Sequence, residues 1–295
     1  MAKIAARYGM ARRCDDGSER ALLTKRTLAS GDGWAVSDIA CHAGPRDRAE
    51  EELHMNFCIA VVASGSFQYQ SSAGRELMTP GSLLLGSPGQ QFKCGHEHGV
   101  GDRCISFAYD AEFFESLASE TGMGLPSQLA ALRVPPKREF ALLMARTHAY
   151  LVGENAGVAA WEEIAVELAT RALESANCRP SAASSLAAEA RVTRIVRMIE
   201  SQLDLDLDIV TLAREARLSR YHFLRVFHEL TGLTPHRYVM RARLNRAALQ
   251  LASDPAQIVE IALSSGFGDV SNFNRAFRAE FGLNPSAYRK NLRRD

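Results

Sequence analysis

The chain has 295 residues, 46% hydrophobic and 23% charged, with a formal net charge of +1, which is enough for two domains with a core each. No stretch reaches the ~18 apolar residues of a membrane helix, and the opening MAKIAARYGMARR has no apolar run of signal-peptide length. Six Cys in so long a chain do not suggest a disulfide framework.

These limits predict a cytoplasmic protein with no membrane partner. The near-zero charge hides an asymmetry. Residues 186–295 hold 17 Lys+Arg against 12 Asp+Glu, a net of +5; residues 1–185 hold 18 against 22, a net of −4. A basic C-terminal part suits a nucleic-acid partner.

Residues 1 to about 110 read as β. Trp34–Cys41, Phe57–Val62, Ser66–Gln70, Ser82–Leu85 and Cys104–Tyr109 are short apolar or alternating runs separated by Gly, Pro and Asp clusters. Such spacing predicts a small barrel or sandwich. Pro80-Gly81 supplies the fixed φ and the φ > 0 residue of a type II turn. Glu50-Glu51-Glu52 reads as a solvated turn.

From Ala111 the pattern turns helical. Phe140, Leu143, Met144, Thr147 and Leu151 fall at helical spacing, as do Ile164, Leu168 and Ala172. These accessory helices pack either on the barrel or on a second subunit. SANCRPSAASS, Ser175–Ser185, reads as a linker. The predicted division is therefore a sensor or dimerisation domain at 1–174, a linker at 175–185 and a DNA-binding domain at 186–295.

In the last part Val192, Ile195, Val196 and Ile199 mark a first helix, followed by an acidic turn at Asp204, Asp206 and Asp208. Then one segment is written twice. FLRVFHELTGLTPHRY (Phe223–Tyr238) and FNRAFRAEFGLNPSAY (Phe273–Tyr288) share Phe, Arg, Phe, Gly, Leu, Pro and Tyr at the same offsets, 50 positions apart. Each copy follows an apolar-periodic run and a short turn, which makes two helix-turn-helix units. Ser219 and Asp269 are N-caps, Gly232 and Gly282 C-caps; Thr234-Pro235 and Asn284-Pro285 begin the next helices. Tyr238–Ala252 reads as a helix between the units. Its fifteen residues span roughly 22 Å, about one groove repeat.

In each unit the Phe side faces inward. The opposite side carries Tyr221, Arg225 and His228, with Leu224 on its flank, and then Ser271, Arg275 and Arg278, with Asn274 on its flank. Arg bonds guanine bidentately and Asn does so with adenine, so Arg225, Arg275 and Asn274 are the candidate base readers. Tyr221, Leu224, Val270 and Ser271 are candidate apolar or hydroxyl contacts. Arg220, Arg241 and Arg278 are candidate phosphate contacts. An ordinary bundle with solvated Arg faces would explain one such helix; two copies with matched cores and caps argue against it.

Residues from about 190 to 295, and above all IALSSGFGDVSNFNRAFRAEFGLNPSAYRK (Ile261–Lys290), resemble the DNA-binding domain of the AraC/XylS family of bacterial transcription regulators. The resemblance implies an all-α domain of two helix-turn-helix subdomains joined by a long helix. It places base readers at Tyr221, Leu224, Arg225, Ser271, Asn274 and Arg275. It also implies promoter DNA and RNA polymerase as partners. More loosely, Gly65-Ser66-Phe67, Pro80–Leu85 and Pro88-Gly89 are similar to the family's cupin-like barrel, which implies a small effector, a homodimer, or both.

The segment CGHEHGVGDRC places Cys94, His96, His98 and Cys104 within eleven residues. Two Cys and two His make a zinc ligand set; iron is the other metal considered, and His54 is a candidate ligand from across the barrel. The segment can instead be a redox pair, Cys94 with Cys104, or a structural hairpin. Cys14, Cys41, Cys58 and Cys178 read as buried structural thiols. With no nucleophile–base pair and no complete three-His-plus-carboxylate set evident, the chain does not read as an enzyme. Two alternatives remain: a metal-dependent cupin enzyme fused to a DNA-binding domain, and a ligand-free dimerisation module driving DNA binding.

Overall fold

The alternating apolar runs become central strands and the helical-period runs become helices in a computed structural model. It describes residues 11–13, 19–21, 23–96, 101–120, 129, 131–152, 156–175, 185–205 and 207–292. Packing divides the chain into two units: Met1–Val134 with Trp161–Pro180, and Pro135–Ala160 with Ser181–Asp295.

The first unit is mostly β. Strands β1 (Ala11–Arg13) and β2 (Glu19–Ala21) pair only with each other. The others are β3 (Leu23–Gly31), β4 (Trp34–Cys41), β5 (Glu51–Leu53), β6 (Phe57–Gly65), β7 (Phe67–Ser71), β8 (Gly74–Met78), β9 (Leu83–Gly86), β10 (Gln91–Gly95), β11 (Asp102–Tyr109) and β12 (Arg133–Val134). They make a six-stranded sheet in the order β12-β9-β6-β11-β4-β3 and a four-stranded sheet in the order β5-β10-β7-β8. The chain changes sheet between β4 and β5, β5 and β6, β6 and β7, β8 and β9, β9 and β10, and β10 and β11, so the two sheets face each other as the walls of a flattened barrel. Ala60, Val62, Leu84 and Cys104 from one wall share a core with Phe67, Tyr69 and Met78 from the other.

The β8–β9 crossing is the predicted turn: Gly81 has φ +82 and the Ser82 amide donates to the Thr79 carbonyl at 2.9 Å. The triple-Glu segment is not a turn. Glu51 and Glu52 lie in β5, pairing with β10 at the sheet edge.

Helix α1 (Ala111–Glu120) follows β11; α2 (Ala141–Val152) follows a 3-10 turn at Arg138–Phe140, and α3 (Val158–Ser175) comes next. The Tyr109 hydroxyl donates to the Ala165 carbonyl at 2.8 Å, and Trp161 meets Phe107 at 6.3 Å between ring centroids. These contacts seat α3 on the β walls. Helix α2 does otherwise: Ala141 and Ala145 are buried with Leu244, Ala248, Phe277 and Phe281 of the helical unit. The sequence grouped α2 with residues 1–174 because of chain order, whereas its small apolar face fits the second core. Of the expected linker 175–185, residues 176–184 lie outside the described residues.

The helical unit continues with α4 (Leu186–Ser201), α5 (Ile209–Glu215), α6 (Arg220–Thr231), α7 (Pro235–Ser253), α8 (Ile258–Ser264), α9 (Val270–Phe281) and α10 (Pro285–Leu292). The written repeat is a repeat in space. Phe223 and Phe227 are 5.4 Å apart and Phe227 meets the Tyr238 edge at 5.6 Å; Phe273 and Phe277 are 5.5 Å apart and Phe277 meets the Tyr288 edge at 5.3 Å. Aromatic pairs at these separations favour such tilted and edge-on packing. Helix α7 joins the two subdomains. Its 19 residues reach roughly 28 Å, starting at Pro235, which the sequence marks as N1, and ending one residue past Ala252.

Candidate nucleic-acid interface

Local chemistry fixes the start and end of each second helix. The Ser219 hydroxyl accepts from the His222 amide at 3.3 Å and begins α6. The Asp269 carboxylate accepts from the Asn272 amide at 2.7 Å and begins α9. Gly232 (φ +78) and Gly282 (φ +79) end them, their amides donating to the His228 and Arg278 carbonyls. Asn284 caps α10 through the Ala287 amide at 2.8 Å. Thr234 takes the extended N-cap backbone but its side chain makes no capping bond, so Pro235 alone sets the start of α7.

The candidate base readers lie on the outer faces of these helices. Tyr221 is 80% exposed and Leu224 40%. Arg220, Arg225, Ser271, Asn274, Arg275 and Arg278 are exposed and Val270 is half-buried. Arg225 lies 3.6 Å from Glu229 one turn on, and Arg275 donates to the Asn272 side chain at 3.2 Å. Both are weak exposed contacts that a stronger acceptor can displace. Asn274, Arg275 and Arg278 line one shallow groove with Asn284, Pro285 and Ser286 at the start of α10. That groove joins two Arg and two Asn side chains to a capped helix N-terminus, a combination that suits anionic phosphate.

Arg241 is not a free cation. Its guanidinium is 10% exposed and lies 3.0 Å from Glu280 of α9, and it donates to the Lys137 carbonyl at 2.5 Å. It ties α7 to α9 and to the segment before α2, so the expected phosphate contact gives way to a structural ion pair. The sequence around Arg241 does not show that the Glu280 carboxylate packs beside it.

In the β unit Cys94, His96 and Cys104 form no common cluster of ligand atoms among the described residues. His98 lies outside the described residues. Cys104 is buried in the barrel core with Cys94 packed against it, and burial pushes both thiols well up from the ordinary range. His96 instead meets Asp102, Nε2 to Oδ1 at 2.5 Å, and the thiol of Cys41. Burial opposes a charge on His96, but its bonds to Asp102 and Cys41 raise its pKa to about 9. His54 stands elsewhere: it hydrogen-bonds the Tyr69 hydroxyl at 2.8 Å and stacks on Phe92 at 4.0 Å. Burial lowers its pKa to about 4.

Among the described residues no helix is long and apolar enough to cross a membrane. Residues 212–291 match a family described as a helix-turn-helix domain. The chain is similar to the Msm operon regulatory protein of Streptococcus mutans, with 31% identity over 37% of this chain and 39% of that one. It is also similar to the probable transcription factor PqrA of Proteus vulgaris, with 34% identity over 35% of this chain and 87% of that one. The match thus spans well under half of the first relative and nearly all of the second. Among solved structures, the DNA-binding domain of the transcriptional factor AdpA, in complex with a target DNA, shares 30% identity over 35% of this chain and 94% of that one, with a TM-score of 0.35.

Proposed function

Because the chain belongs to the AraC/XylS family of transcription regulators, we propose that it binds promoter DNA sequence-specifically through two adjacent major-groove segments. The observation that carries this reading is the paired set of capped helices, α6 and α9, presenting matched polar faces. Arg225 with Tyr221 and Leu224 serves one groove segment; Arg275 with Asn274, Ser271 and Val270 serves the next. Arg220 and Arg278 hold phosphates, which positions the helices without specifying sequence. The β unit supplies the signal: a small effector or a homodimer contact shifts the population competent to engage DNA and RNA polymerase in the cytoplasm.

The test is a binding-site selection with Arg275→Ala. Loss of a bidentate guanine contact worth ~1–3 kcal/mol lowers affinity about tenfold or more and relaxes one base position. Arg278→Ala weakens binding evenly across sequences and lowers the salt slope by about one. An even loss across all sequences for Arg275→Ala would remove it from the base readers.

A further inference from the structure

The rim where β4 ends, β10 ends and β11 begins carries three different metal-ligand chemistries at one point. Cys41 is the last residue of β4 and Asp102 the first of β11, and the two are cross-strand partners. His96 follows the end of β10. The thiol, an imidazole nitrogen and a carboxylate oxygen all lie within 4.8 Å of one another. The His96 and Asp102 side chains are only 2% and 8% exposed.

The backbone holds this geometry. Gly101 sits at φ +70, where an added Cβ would stand 2.7 Å from the Cys41 carbonyl, and its amide donates to the Ala43 carbonyl at 2.8 Å. The start of β11 is therefore pressed against the end of β4 in a way that needs glycine. The second oxygen of Asp102 accepts from the Cys104 thiol at 3.4 Å, which orients the carboxylate from behind.

We propose that Cys41, His96 and Asp102 bind a thiophilic divalent cation of the zinc class, with a fourth position open to water or another donor. A thiolate disfavours hard cations such as magnesium and calcium, and a mixed S, N, O set of three suits zinc at tetrahedral geometry. An ordinary His–Asp ion pair accounts for two of the three groups but not for the half-exposed Cys41 thiol beside them. The site does not rest on the DNA-binding reading, and either can fail alone.

The test uses the full chain, reduced and stripped with chelator, titrated with cobalt(II) as a spectroscopic stand-in for zinc. One equivalent should give thiolate-to-cobalt charge transfer and tetrahedral visible bands, both abolished by added zinc. Cys41→Ser should remove the charge-transfer band, and His96→Gln should weaken binding by ~10-fold or more. Cys94→Ser should keep the band. A second measurement needs no variant: zinc should protect Cys41 of the wild-type chain from alkylation, read by peptide mass. No thiolate band, a band that survives Cys41→Ser, or zinc protection of other thiols instead of Cys41 would overturn the proposal.

Discussion

Acidification should weaken the β unit through one side chain, His54. Its ring is enclosed by Tyr69 and Phe92, and burial lowers its pKa from 6.5 to about 4. A depressed folded-state pKa means that the unfolded chain takes up the proton first. The stability held by the neutral ring is therefore complete above pH 6.5 and is lost as pH falls towards 4. The full difference is about 3 kcal/mol at 1.36 kcal/mol per pKa unit, and about 2 kcal/mol of it is gone by pH 5. The assay is urea unfolding followed by tryptophan fluorescence. The chain has two Trp, Trp34 in β4 and Trp161 in α3, both buried in the β unit, so the signal reports that unit alone. Glu52, whose carboxyl is raised by burial and by Glu50, acts in the opposite sense, so the informative quantity is wild type minus His54→Gln. That difference should change by about 2 kcal/mol between pH 7 and pH 5. Parallel pH profiles, or a His54 ring titrating near 6.5 by NMR, would refute the reasoning.

Two further perturbations test the helical unit. Arg217, at φ 54, is the non-glycine residue with positive φ among those described, and it occupies the turn position that Gly266 (φ +89) fills in the second subdomain. Arg217→Gly should stabilise the helical unit by up to about 1 kcal/mol, measured by thermal melting in the far ultraviolet. Gly266→Ala should destabilise it by more than about 2 kcal/mol, since the new Cβ would lie 2.2 Å from the Leu203 carbonyl; a neutral result would mean that this turn is looser than described. Burial raises the Glu200 pKa to about 7, only partly offset by its bond to the Tyr238 hydroxyl. The stability of the first subdomain should therefore decline as pH rises from 4.5 through 7, and Glu200→Gln should flatten that decline in a denaturant series.

Some of this was legible in the sequence because one local rule decided it. Trp34–Cys41 is a strand at both predicted ends, and Ser219, Asp269, Gly232 and Gly282 cap as their side chains and φ preferences require. Strands β3 and β10 were missed because they alternate poorly: most of Leu23–Gly31 is exposed, and Gln91–Gly95 mixes polar and apolar residues. Chain proximity also misled. It grouped Cys94, His96 and Cys104 with His98, which lies outside the described residues, but sheet register sets Cys41 beside Asp102, near His96, while Cys94 and Cys104 pack at the core. Arg241 shows the same limit, since Glu280 reaches it only through the packing of α9 on α7.

The placement of α2 has a practical result for anyone cutting the protein into pieces. The helical unit is discontinuous: it takes Pro135–Ala160, gives the chain back to the β unit, and resumes at Ser181. A fragment that starts at the apparent linker keeps both written repeats yet loses Ala141 and Ala145 from its core, the Lys137 carbonyl from Arg241, and Pro135 from beside the Gly232 cap. Such a fragment would carry every candidate base reader on a core with one wall removed. A faithful isolated half would need Pro135–Ala160 spliced ahead of Ser181 by a short designed loop, with the rest of α3, from Trp161 on, left behind.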